Sequence, residues 1–223
     1  MRLTRVSVIL STALLALQVQ AAGYAVSGTV QLIARDQQLH QDHANTVVFI
    51  EAPDGQAAAP SAAPASASVS QKSRQFAPQV LPVLRGTRVD FPNDDSIYHN
   101  IFSLSRTQPF DLGSYPRGES RQVTFERPGL VTLYCNIHPN MVANVLVLNN
   151  GWFAKTDADG RFRIEGVPAG DYQLRLWHPL ASERQLPLQV GSGDQALGTL
   201  TLAIDKRTVQ HKNKYGKPYS GKY

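Results

Sequence analysis

No stretch of this chain between Tyr24 and Ile204 keeps a helical repeat of apolar residues, and turn-forming residues cut every apolar run short. The runs at 24–32, 46–50, 80–84, 87–91, 99–104, 121–125, 130–134, 142–148, 161–164, 172–177, 186–190 and 197–204 are rich in β-branched and aromatic residues. Such side chains suit a pleated, half-buried surface. Between the runs stand Arg85-Gly86, Pro92-Asn93-Asp94-Asp95, Arg127-Pro128-Gly129, Asp157-Ala158-Asp159-Gly160 and Pro168-Ala169-Gly170, which carry turn chemistry. Many short strands punctuated in this way predict an all-β chain folded as a β-sandwich.

The ends and one internal stretch are of different character. Residues 1–22 have the form of a secretory signal: Arg2 and Arg5, an apolar stretch over 6–19, and small residues at 19–21 or 20–22 for cleavage. The apolar stretch is too short to span a bilayer comfortably. The mature protein is therefore expected to be periplasmic or secreted, with no transmembrane segment. Residues 52–73 are a low-complexity run of Ala, Pro, Ser and Gln, expected to be a flexible linker. Residues 206–223 carry six basic residues and no acid, and are expected to form a disordered basic tail. The body from 22 to 205 has 14 basic against 17 acidic residues, so the net charge of +5 does not mark a nucleic-acid-binding body. The tail suits electrostatic contact with an acidic partner or an anionic envelope surface.

The only cysteine in 223 residues is Cys135, in Cys135-Asn136-Ile137-His138-Pro139-Asn140-Met141. In an oxidising compartment cysteines usually pair, and one with no mate in its own chain calls for another role. Metal ligation is one, since it holds the thiol deprotonated and engaged. Thiolate, imidazole and a weak thioether are the donors of a mononuclear blue-copper site, which needs a second histidine. His99 stands 36 residues upstream, in Ile97-Tyr98-His99-Asn100-Ile101-Phe102.

Residues 76–148 resemble a cupredoxin. The matching features are Gly86-Thr87-Arg88-Val89-Asp90-Phe91-Pro92-Asn93, then His99-Asn100, then Phe125 with Pro128-Gly129, then Tyr134-Cys135 with His138 and Met141. The short ligand loop, two residues in each gap, resembles that of amicyanins. The resemblance implies one copper ion held by His99, Cys135 and His138 with Met141 axial, and an Asn100 that fastens the Cys135 loop to the His99 strand through hydrogen bonds. Residues 26–30 and 44–50, with 156–162 and 168–172, resemble the transthyretin-like, carboxypeptidase-regulatory module. Domain order is also similar to periplasmic proteins of the methylamine-utilization kind. Together these imply a cupredoxin Greek-key β-sandwich over 74–149 and a small transthyretin-like β-sandwich over 23–51 and 150–205. The alternative is that 24–50 supplies extra strands to the cupredoxin.

A site with four protein donors leaves no open coordination position, which metal catalysis generally requires. Tyr134 and Asn136 flank Cys135, where multicopper oxidases carry histidines, so the chain is expected to be an electron carrier and not an enzyme. A redox partner is expected to dock near His138, ringed by Ile137, Pro139, Asn140, Met141 and Val142, through a small transient interface. Copper delivery and a surface- or carbohydrate-binding role are the rival readings. Donor types leave zinc open, although methionine is a poor zinc donor. His40-Gln41-Asp42-His43 offers a possible accessory metal site, but such a run is more often a solvated loop. Asp157-Ala158-Asp159-Gly160 lacks the later acceptors of a calcium loop and is expected to be a tight turn. His178 is expected to be structural.

Overall fold

A computed structural model describes residues 23–34, 36, 38–40, 43–52, 66–205 and 211–219. The signal over 1–22, most of the linker, and the tail at 206–210 and 220–223 lie outside the described residues. The described chain is all-β, in several sheets, and it has no helix long and apolar enough to cross a membrane.

Strands β1 (Tyr24–Ile33) and β2 (Val47–Glu51) come first. Ten strands follow: β3 (Ala67–Ser68), β4 (Ser70–Lys72), β5 (Gln75–Ala77), β6 (Val80–Leu84), β7 (Thr87–Pro92), β8 (His99–Ser103), β9 (Phe110–Tyr115), β10 (Ser120–Phe125), β11 (Gly129–Tyr134) and β12 (Val142–Leu148). The chain continues through β13 (Phe153–Lys155), β14 (Arg161–Val167), β15 (Gly170–Trp177), β16 (Arg184–Val190) and β17 (Gln195–Ala203).

The first two strands pair with the last five. β1 lies between β14 and β17, and β2 between β13 and β15, with β16 at the edge. Alternation along each strand fills the space between these two sheets. Val26, Val30 and Leu32 meet Val48, Ile50, Phe162, Ile164, Leu174 and Leu176 in one core. The turn before β14 closes on Asp157, whose carboxylate accepts the Arg161 N–H at 2.8 Å. Gly160 there has φ +79°, and a Cβ would stand 2.1 Å from the Val30 carbonyl oxygen. Only glycine fits, so this segment is the tight turn expected of it.

β3 to β12 build the second module. One sheet runs β6-β12-β11-β8-β9, the other β10-β7-β3, with β4-β5 a separate hairpin. Its core includes Phe76, Phe91, Ile101, Phe125, Val131, Leu133 and Val145, and reaches Cys135 and Met141 at one end. The modules share a third cluster. Val47 and Phe49, on the opposite face of β2 from Val48 and Ile50, pack with Trp177 against Val80, Leu146 and Leu148. A strand buried on both faces explains the unbroken apolar run over 47–50.

One expectation is corrected. Residues 66–73 are not linker: Val69 and Gln71 are fully buried, and β4 pairs with β5 in register Ser70↔Ala77. One valine in a Ser-rich run enters the core, and Gln71 Nε2 donates to the Tyr115 hydroxyl at 2.7 Å. The Pro- and Gly-bearing segment after residue 104 contains β9, an edge strand anchored by fully buried Tyr115. At a sheet edge such residues cost little ladder pairing.

Candidate metal centre

β8 begins at His99, and the loop between β11 and β12 carries Cys135, His138 and Met141. Pairing of β11 with β8 brings Tyr134 opposite Phe102 and places the loop beside the start of β8. Cys135 Sγ lies 3.9 Å from His99 Nδ1 and 3.8 Å from His138 Nδ1. The three donor atoms all fall within 4.8 Å of one another, and all three residues are buried. Met141 is fully buried in the core that contains Cys135, and the loop closes on itself through Cys135 N–H to the Met141 carbonyl (3.3 Å) and Met141 N–H to the His138 carbonyl (3.1 Å).

The donor set fits a metal ion. Metal–sulfur and metal–imidazole bonds of about 2.3 and about 2.0 Å hold the two donors about 3.5–3.8 Å apart at angles between tetrahedral and trigonal. The observed 3.8 Å stands at the upper end of that range and the observed 3.9 Å just beyond it.

Asp95 fixes the His99 ring. Its Oδ2 lies 2.8 Å from His99 Nε2 and also accepts the N–H of Arg74, in the β4–β5 turn, at 2.7 Å. Asn93 holds this loop by donating to the carbonyls of Ile97 and Tyr115 and accepting the Asp95 N–H. A carboxylate on the remote nitrogen of a ligand histidine sets its tautomer and orientation. Sequence reasoning assigned Asp95 only to a turn. Its spacing four residues before His99 was the available signal.

The electrostatics favour the metal-ready forms of Cys135 and His138, while His99 keeps its proton more readily. Burial resists charge at Cys135, but the His99 ring and the backbone N–H groups of Asn100, Ile137 and His138 outweigh it and hold the thiol below its ordinary value. Burial likewise opposes the His99 cation, yet Cys135 and Asp95 raise its pKa. Burial, with the positive charges of His99 and Arg74, lowers that of His138. Metal binding at such donors is coupled to loss of their protons.

Asn100 reaches the Cys135 loop through its backbone and not through its side chain. Its backbone N–H points to the Cys135 sulfur, but its side chain donates to Asp111 Oδ1 (2.7 Å) and the Gly113 carbonyl (3.0 Å), binding β8 to β9. Its Oδ1 has no hydrogen-bond partner among the described residues. His138 is 7% exposed, closer to the interior than expected, within a rim of half-buried Ile137, Pro139 and Val142.

The described tail residues correct another expectation. Residues 211–219 do not hang free. Tyr219 OH donates to the Cys135 carbonyl at 2.5 Å, the His211 and Tyr134 rings lie 4.4 Å apart, and Lys214 Nζ reaches Asp111 Oδ2 at 2.7 Å. The alternation of basic and aromatic residues supplies these anchors. Elsewhere, His43 Nδ1 accepts the Leu32 N–H and His178 Nδ1 the Leu180 N–H, both in backbone-supporting roles. Asp42 lies outside the described residues.

No protein-family model matches this chain. No curated protein matches it either. Among solved structures, the chain is similar to a purple cupredoxin from Nitrosopumilus maritimus (29% identity, 37% of this chain and 99% of that one, TM-score 0.34). It is similar also to a copper-containing nitrite reductase from Thermus scotoductus SA-01 (26% identity, 44% of this chain, TM-score 0.36), of which it spans only 25%. A point mutant of amicyanin in the Cu(I) form is similar at 20% identity over 45% of this chain and 98% of that one, TM-score 0.36.

Proposed function

We propose that this chain is an exported copper protein that binds one mononuclear type 1 copper and carries single electrons between redox partners. The observation that supports it most is the convergence of His99 Nδ1, Cys135 Sγ and His138 Nδ1 within 4.8 Å in a buried site. His99, Cys135 and His138 would hold the ion, with Met141 as the weak fourth donor, a set characteristic of blue-copper electron-transfer sites. Copper bound there supplies a one-electron couple.

The chain's own residues do the rest. Asp95 and the Arg74 N–H fix the His99 ring, three N–H groups stabilise the Cys135 thiolate, and the Met141 and His138 carbonyls brace the loop. Donors pinned in this way change position little between oxidation states, which favours fast electron exchange. Three strong donors and a thioether leave no position for a substrate, so the proposed role is transfer and not catalysis. The half-buried apolar rim of Ile137, Pro139 and Val142 suits a redox partner approaching His138 through a small interface. A charge introduced at Pro139 or Val142 is expected to slow electron exchange with that partner. The leader at 1–22 supports a periplasmic or secreted location, checked by whether the mature protein starts at residue 22 or 23.

The visible spectrum of the copper-loaded protein tests the reading. An intense thiolate-to-copper band, bleached reversibly on reduction with copper retained, and absent in Cys135→Ser, is expected. A colourless copper complex, or a Cu(I) form that passes its metal at once to an acceptor, would sink the electron-carrier reading.

A further inference from the structure

The segment 211–219 meets the candidate site on both sides of Cys135. His211 stacks on Tyr134, Tyr219 OH donates to the Cys135 carbonyl, and the Lys214 N–H donates to Asn136 Oδ1 at 3.0 Å. Three consecutive residues at the thiolate are thus each held by the tail. Lys214 Nζ adds a fourth anchor on Asp111, whose other oxygen accepts from Asn100, the neighbour of His99.

The segment is shaped for this contact. Asn213 Oδ1 accepts the N–H groups of Tyr215 and Lys217, and its backbone closes on Lys217 and Gly216. This self-bonded turn sets the spacing between Lys214 and Tyr219. His211 packs edge-on to Tyr219, with its Nδ1 3.1 Å from the hydroxyl. Within the loop, the Cys135 N–H is satisfied by Met141, whereas its carbonyl is taken by Tyr219. Cys135 is fully buried, so loss of that hydroxyl would strand a carbonyl, which is costly.

We propose that residues 211–219 are a strap that positions Cys135 and retards exchange of the bound metal, with Tyr219 as its main positioning residue. The proposal rests on the metal-site reading above. Release of an ion requires the loop over 135–138 to swing away from His99. The strap ties 134–136 to β9 through Lys214 and Asp111, so those bonds must break first.

Tyr219→Phe, which keeps the ring and removes the hydroxyl, and a variant ending at Gln210 test this. Two quantities are read: transfer of Cu(I) to excess chelator from the loaded protein, and amide hydrogen exchange over 134–138 in the metal-free protein. Release about tenfold faster in both variants, the scale of a lost outer contact at a metal site, with faster exchange confined to that loop, is expected. Wild-type release and exchange in both variants, with the Cys135-dependent band intact, would overturn the strap and leave the copper reading standing. A colourless wild-type protein whose Tyr219→Phe variant still shows faster loop exchange would sink the copper reading and keep the positioning of Cys135.

Discussion

The Asp95 carboxylate joins the His99 ring to the β4–β5 hairpin: one oxygen, Oδ2, lies 2.8 Å from His99 Nε2 and 2.7 Å from the Arg74 amide. The ring is thereby turned so that Nδ1 faces Cys135. Burial would favour the neutral acid, but the Arg74 N–H and the His99 ring keep Asp95 below the ordinary carboxylate range.

Asp95→Ala should therefore lower copper affinity by about 10–100-fold, the usual cost of losing an outer partner of a ligand histidine. Competition with a chelator of known affinity measures it. The module cores do not involve Asp95, so the melting temperature of the metal-free protein should change far less than its affinity.

The hairpin turn itself is strained. Ser73 and Arg74 have φ of 52° and 58°, the left-handed region that a two-residue turn of this hand requires and that Asn-Gly normally fills. Arg74→Gly keeps the amide that Asp95 accepts. It should stabilise the protein by about 1 kcal/mol, the penalty of that region for a side-chain-bearing residue. Urea unfolding with an unchanged or lowered midpoint would contradict this.

Trp177 is 5% exposed in the cluster where the two modules meet. Trp177→Ala should cost about 3–5 kcal/mol, the usual range for a large aromatic removed from a packed core. Because Val80, Leu146 and Leu148 lose the same partner, the second module should be loosened along with the first. Denaturation followed separately by far-UV dichroism and by the copper band checks whether both respond.

The tail contact should depend on pH. Burial pushes the Asp111 carboxyl up, but the Lys214 ammonium, the Gly113 N–H and the Asn100 amide outweigh it and hold it below the ordinary carboxylate range. A group depressed in the folded state contributes fully above its unfolded value and loses that contribution as pH falls through its folded value. Docking of 211–219 should thus be complete at neutral pH and weaken below about pH 4. Ring resonances of Tyr219 report it by NMR. Asp111→Asn should flatten that dependence, and an identical titration in the variant would refute the assignment.

The all-β class was legible, and the candidate donors could be singled out, because both are local signals: short β-branched runs between turns, and sulfur and nitrogen side chains at close spacing. That His99 meets Cys135 from 36 residues away depends on the pairing of β8 with β11, which the run lengths alone do not determine. β4 and β5 were missed because Ser73-Arg74 carries no Gly or Asn to announce a tight turn, and because one buried valine is a faint mark in a Ser-rich run. Asp95 looked like turn chemistry, which it also is. The tail's role was hidden because His211, Lys214 and Tyr219 act by contacts across the fold, while their composition matches that of a solvated terminus.

X-ray absorption at the copper edge tests most directly whether these side chains share one ion. One close sulfur neighbour and two imidazole nitrogens are expected, with the sulfur lost in Cys135→Ser and one imidazole lost in His99→Ala. A first coordination sphere of oxygen and nitrogen alone, or one indifferent to those two substitutions, would contradict the account.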